Sequence, residues 1–200
     1  MLSTLPRLFF GLALWLIMLL LNGIIPLNTD VPAVFVLLFA LAPAVVVPLA
    51  LRTLVVHEHS AGFKLLLKWD VVAACLCLSA FFWPVGWLSG LYVLPWVLTC
   101  YGLAAVGLLR LLRFGLEAWE EVLINAGLMF LAVGGSWLLL ARLGVRPLGF
   151  STAIVFLTAI HFHFAGFASC LILGASGRWF MQESPRVQQL YLGLMICSLL

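Results

Sequence analysis

Charge is scarce in this sequence: only 8% of its 200 residues are Asp, Glu, Lys or Arg, against 66% hydrophobic. Soluble globular domains carry about 25% charged residues, so a water-exposed surface of ordinary composition is excluded and a membrane protein is indicated. The small positive balance does not point to nucleic acid, because the basic residues are scattered between apolar runs and form no patch. Lysine is nearly missing. Lys64 and Lys68 share one loop, which leaves no buried lysine for a retinal Schiff base. Four histidines in two separate places are too few for a membrane di-iron site. The two inside an apolar run share a helix, so they cannot clasp a haem between facing helices. Cys75, Cys77, Cys100, Cys170 and Cys197 all fall in apolar segments and read as small core residues, with neither a disulfide framework nor a zinc site. Phosphate-cradling glycine loops, a nucleophile elbow and internal repeats are missing as well. His57-Glu58-His59 has the spacing of a metal clip, but in a polar loop it reads as solvated. Neither a metal nor a cofactor is expected.

What the sequence does have is long apolar runs. About 20 residues of helix cross the hydrocarbon core, and this rule predicts an all-α, polytopic transmembrane helical bundle forming a single membrane-embedded domain over residues 1–200. About seven spans are expected, at residues 8–26, 31–51, 70–90, 92–109, 119–140, 150–174 and 187–200. The last is too short for a core ~30 Å thick and reads as truncated. The first mimics a signal peptide behind Arg7 but lacks a cleavage site. Pro43 and Pro48 are expected to kink the second span, and Arg52 to Trp69 to form the longest loop. Phe81, Phe82, Trp83, Trp87, Tyr92 and Trp96 suit a membrane–water interface. Arg7, Arg52, Lys64, Lys68, Arg110, Arg113, Arg178 and Arg186 fall on one side and only Arg142 and Arg146 on the other, which puts the N-terminus in the cytoplasm.

Polar groups at membrane depth are costly and are functional candidates by default. His161 and His163 lie in the sixth span, about 200° apart around the helix, so one metal ion cannot easily take both. His163 shares its face with Ala159, Gly166, Cys170 and Gly174, a stripe of small residues that lets helices approach closely. Glu117, Glu121 and Asn125 form one stripe at i, i+4 and i+8 on the fifth span, and Asp70 opens the third span on the same side. Counting depth from Phe150 sets His163 about 10 Å from the cytoplasmic surface, near the level of Asn125. The geometry expected from these levels is a polar vestibule open to the cytoplasm and floored by a histidine. Against this stand simpler roles: acids that favour a helix N-terminus, and histidines that are hydrogen-bonded packing residues. Asn22, Thr99, Tyr101 and Ser136 are accounted for by hydrogen bonds between helices.

The run Gly149-Phe-Ser-Thr-Ala-Ile-Val-Phe-Leu-Thr-Ala-Ile-His-Phe-His-Phe-Ala-Gly-Phe167, with the acidic cluster ahead of it, resembles the YndJ-like bacterial integral membrane proteins. The resemblance implies a chain longer than 200 residues in the bacterial inner membrane, and it supports His161, His163, Phe164 and Gly166 as signature positions.

Three functions stay open. The first is a small transporter or permease-like carrier for a lipophilic or small-molecule substrate, lined by His161, His163, Phe164, Glu117, Glu121, Asn125 and Asp70. Its small size and missing repeat point to a homo-oligomer surrounded by membrane lipid. The second is an intramembrane enzyme, such as a proton-initiated prenyl or terpene cyclase, with Glu121 as catalytic acid and His163 as base. The third is an accessory membrane subunit.

Overall fold

The computed structural model describes residues 5–25, 27–52, 54, 60–182 and 185–199, and the described segments are helical with no strand among them. The helices are α1 (Leu5–Asn22), α2 (Ala33–Arg52), α3 (Ala61–Phe82), α4 (Trp87–Phe114), α5 (Trp119–Leu143), α6 (Thr152–Phe180) and α7 (Pro185–Leu199). Five of them, α2 to α6, are long and apolar enough to cross a membrane, while α1 is apolar but shorter. His57-Glu58-His59 lies outside the described residues.

Helix ends follow local chemistry more closely than apolar length does. The α3 helix begins at Ala61, where the Phe63 N–H is capped by Ser60 Oγ at 3.3 Å. Much of the expected loop is therefore helix, with Lys64 and Lys68 in its first turns and Asp70 well inside it. Long lysine stems can lie along apolar surface and keep their ammonium groups in a wet layer, which is why these charges do not stop the helix. The α3–α4 corner needs Gly86, whose φ of 149° is closed to a side-chain-bearing residue, and its N–H donates to Arg142 O at 2.9 Å. Ser151 caps α6, which then runs on to Phe180.

The α5 helix sits between α4 and α6 and touches both along its length; α3 covers α4, α2 packs against α3 and α6, and α1 lies against α2. Glycines make these approaches close. Gly107 of α4 lies against the Asn125 carbonyl, Gly135 of α5 against Cys100, and Gly127 of α5 against Cys170. On α6, Gly166 meets Phe130, and Gly174 meets Ile124 and the Glu120 carbonyl, so the small-residue stripe does face a neighbouring helix. Phe39, Phe81 and Phe156 join α2, α3 and α6, with ring centroids 5.7–5.9 Å apart. Trp96 and Phe81 are wholly buried, not interfacial, whereas Trp87 is exposed and Trp83 stacks on Tyr92 at 5.7 Å.

Two helices leave α-helical register. In α2 the turn Ala42–Val46 is π-helical; it contains Pro43 and is followed by Pro48, neither of which can donate to the preceding turn. In α6 the wider stretch is Phe162–Ser169, beginning beside His163. The two stretches touch each other.

The α1 helix is fastened by Trp15 Nε1–H to Leu37 O at 2.8 Å, by Arg7 to Asp70 at 2.5 Å, and by Gly11, which lies directly on the Ala44 carbonyl. Pro48 has no N–H to offer that carbonyl, and a Cβ on Gly11 would meet it well inside van der Waals contact. Gly11→Ala would drive a methyl into backbone. It is expected to lower stability by about 1–3 kcal/mol in mixed-micelle unfolding, by loosening α1 from α2. A wild-type unfolding curve would refute this account of the contact.

Candidate functional site

His163 is 0% exposed, and protein groups fill its surroundings. An indole N–H can only donate, so Trp96 Nε1–H makes His163 Nε2 an acceptor at 3.2 Å. The proton is then on Nδ1, which donates to Ala159 O at 2.8 Å. This is a neutral imidazole in a fixed tautomer. Cys100 Sγ lies 4.0 Å from Nε2, Phe39 meets the ring edge-on at 5.2 Å, and Gly134 of α5 lies against the imidazole. His161 points the other way, exposed and edge-on to Phe162, as a separation of about 200° requires. Phe164 is half-buried against the core.

The charged residues meet elsewhere. Glu121 on α5 accepts from Arg110 Nη2 of α4 at 2.6 Å, and from Arg178 of α6 through Nε at 2.6 Å and Nη2 at 3.1 Å. Arg110 Nε also donates to Asn125 Oδ1 at 3.0 Å. Arg110 is 4% exposed and Asn125 1%, whereas the Glu121 side chain is 24% exposed, so three helices are pinned at one end by a partly desolvated network. Such charge-assisted bonds are roughly twice as strong as neutral ones. Cavities open on both sides of Glu121. One of about 350 Å³ is lined by Arg110, Phe114, Glu117, Ala118 and Glu121. The other, about 670 Å³, is lined by Glu120, Glu121, Arg178, Trp179, Met181 and Gln182 among others.

Glu117, Glu121 and Asn125 therefore do share one region, although Glu117 precedes α5 and lines only the outer cavity. Asp70 is held apart in its ion pair with Arg7. His163 does not floor a vestibule with these residues. It packs at Gly134, roughly 20 Å further along α5 than Glu121 at ~1.5 Å per residue, with Leu128, Leu131, Phe167 and Leu171 buried in the same core. The depth count fails because α6 continues past Gly174 to Phe180, so its charged end lies well beyond the assumed surface.

Arg110 and Arg178 are functional candidates that a loop-charge count hides. Their signal was position: each ends an apolar helix at the level of Glu121. Arg142, at the opposite end, was hidden in the same way. It is 2% exposed and donates to Ser89 Oγ, Asn28 O, Ala80 O and Trp83 O at 2.7–3.1 Å, with its guanidinium 4.8 Å over the Phe81 ring. Of the single polar residues, Tyr101 and Ser136 bond across helices at 2.8 Å, whereas Thr99 bonds within its own helix to Pro95 O at 2.9 Å.

The family profile described as YndJ-like protein matches residues 37–200. The uncharacterized membrane protein YndJ of Bacillus subtilis (strain 168) is 32% identical over 107 residues, which are 54% of this chain and 19% of that protein. The matched region thus spans about a fifth of the length of that curated relative. No solved structure matches.

Proposed function

This chain belongs to the YndJ-like family and is a membrane protein, and from that premise we propose that it forms the helical part of a small permease-like carrier. It works in the bacterial inner membrane with its N-terminus in the cytoplasm, as the excess of Arg and Lys at the Glu121 end supports. One observation carries the proposal: α2 and α6 both abandon α-helical register where they touch, at Ala42–Val46 and Phe162–Ser169. Widened turns of this kind cluster at functional sites, and interrupted helices are a recurring feature of carriers. Bending of α6 at its widened stretch moves Arg178 relative to Glu121. That motion opens and closes the charged end, and His163, bonded to Trp96 and Ala159, contributes to the stability of the surrounding core.

A cyclase has less support in this geometry. It needs a carboxylic acid with a proton to give, whereas Glu121 is an acceptor to two guanidiniums, and His163 Nε2 is already occupied.

The test is mass spectrometry of lipid extracts and medium from cells expressing the full-length protein, wild type against Glu121→Gln. A carrier gives known compounds redistributed between cell and medium, with the rate falling about tenfold or more in the variant, equivalent to one lost charge-assisted interaction. A compound of new structure that disappears in the variant would establish an enzyme. Identical profiles would favour an accessory subunit.

A further inference from the structure

We propose that Glu121 is a built-in stand-in for a phosphate-bearing lipid head group, which displaces it from Arg110 and Arg178. This rests on the charged end being the ligand site of the carrier, and it names the ligand.

The chemistry starts from the arginines. Two guanidiniums from different helices converge on one carboxylate whose side chain is still 24% exposed, between cavities of about 350 and 670 Å³. These volumes lie in the range of small-ligand sites. A carboxylate offers two oxygens and takes both arginines, Arg178 through a fork of two N–H groups. A phosphomonoester, as in phosphatidic acid, offers one more oxygen in a tetrahedral arrangement and matches the same forks, whereas a phosphodiester such as phosphatidylcholine offers only two. Asn125, 1% exposed and bonded to Arg110 through Oδ1, keeps a buried Nδ2 amide with no partner among the described residues. Asn125 lines neither cavity, and its part is to hold the Arg110 guanidinium in place through Oδ1.

The walls indicate an amphiphile. The larger cavity shares Ala175 and Trp179 with an adjoining, open and mainly apolar groove of about 340 Å³ that Phe180 also lines. Trp179 is 79% exposed and Phe114 56%, so apolar shoulders flank both cavities at the outer surface of the bundle. Polar cavity followed by apolar groove matches a head group followed by an acyl chain. Glu121 then serves release: once the head group leaves, the carboxylate returns to the arginines and closes the end of the bundle. Its removal should therefore strengthen binding while slowing turnover.

The experiment uses the full-length protein in phosphatidylcholine nanodiscs, titrated separately with phosphatidic acid and with inorganic phosphate, and reads retained lipid by native mass spectrometry and thermal stability. Phosphatidic acid is expected to bind the wild type, to bind Glu121→Gln about tenfold more tightly, a gain of about 1.4 kcal/mol, and to be lost from Arg178→Gln. Arg178→Lys, which keeps the charge but not the fork, should weaken binding in a protein that still folds. This variant carries the test if Glu121→Gln is unstable. Response to inorganic phosphate alone would assign the same site to a soluble phosphate ester. Equal binding by wild type and both Arg178 variants, or weaker binding by a folded Glu121→Gln, overturns the proposal. Binding without movement of any compound would sink the carrier and leave this site standing, and movement of compounds without any binding of phosphatidic acid or phosphate would do the reverse.

Discussion

Replacing Arg142 by methionine is expected to destabilise the protein by about 3–5 kcal/mol, more than any other single polar substitution in the bundle. Its guanidinium donates to Ser89 Oγ at 2.7 Å and to the carbonyls of Asn28, Ala80 and Trp83 at 2.8–3.1 Å. These carbonyls belong to the end of α3 and to the loop between α1 and α2; Ala80 O also accepts from Trp83 N–H at 3.2 Å, so Asn28 O and Trp83 O depend most on the guanidinium. Methionine fills a similar volume over the Phe81 ring, so little of the effect comes from a cavity. The loss comes from acceptors left dry. Ser89 Oγ also donates to Ala80 O at 3.1 Å and Gly86 N–H to Arg142 O at 2.9 Å, so the corner retains some order. Arg142→Lys should be intermediate, since one ammonium cannot reach all four acceptors of a planar fork. Equilibrium unfolding in mixed micelles measures both, and a Met variant within about 1 kcal/mol of wild type would sink this view of the corner.

The helices and their pairing faces were legible because each rests on a local rule. Apolar length called for long helices without fixing their ends, as the expected span 70–90 against Ala61–Phe82 shows; Pro43 and Pro48 marked the break in α2, and the spacing of Ala159, Gly166, Cys170 and Gly174 marked the face of α6 that meets α5. Opposite orientations for His161 and His163 followed from helical geometry alone. The level of His163 did not, because depth is counted from a helix end, and the end of α6 was set beyond Gly174 by contacts that the sequence does not display. Arginine was misread for a related reason. A loop count takes Arg110, Arg142 and Arg178 as loop charges, but each has a stem long enough to turn back into the bundle. What decides between those outcomes is a partner on another helix: Glu121 for two of them, and the carbonyls at the α3–α4 corner for the third.

His163→Ala is expected to cost about 3–4 kcal/mol and to leave the rate of movement per folded molecule near wild type. The ring touches Phe39 edge-on, lies beside Trp96 and Cys100, and packs on Gly134, so its removal empties a site that the widened turn of α6 cannot easily collapse. Cavity terms for such truncations reach about 2–5 kcal/mol. The orphaned Trp96 N–H adds less, because hydrogen bonds between membrane helices average about 0.6 kcal/mol. His163→Gln separates these two terms. Its carbonyl can accept from Trp96 and its volume fills most of the void, so it should recover more than half of the lost stability. A proton-transfer role makes the opposite pair of demands: normal stability with lost movement in His163→Ala, and no rescue by glutamine, which does not titrate. Unfolding curves set beside transport rates for the two variants decide between a histidine that moves protons and one that holds Trp96, Ala159 and the widened turn in place.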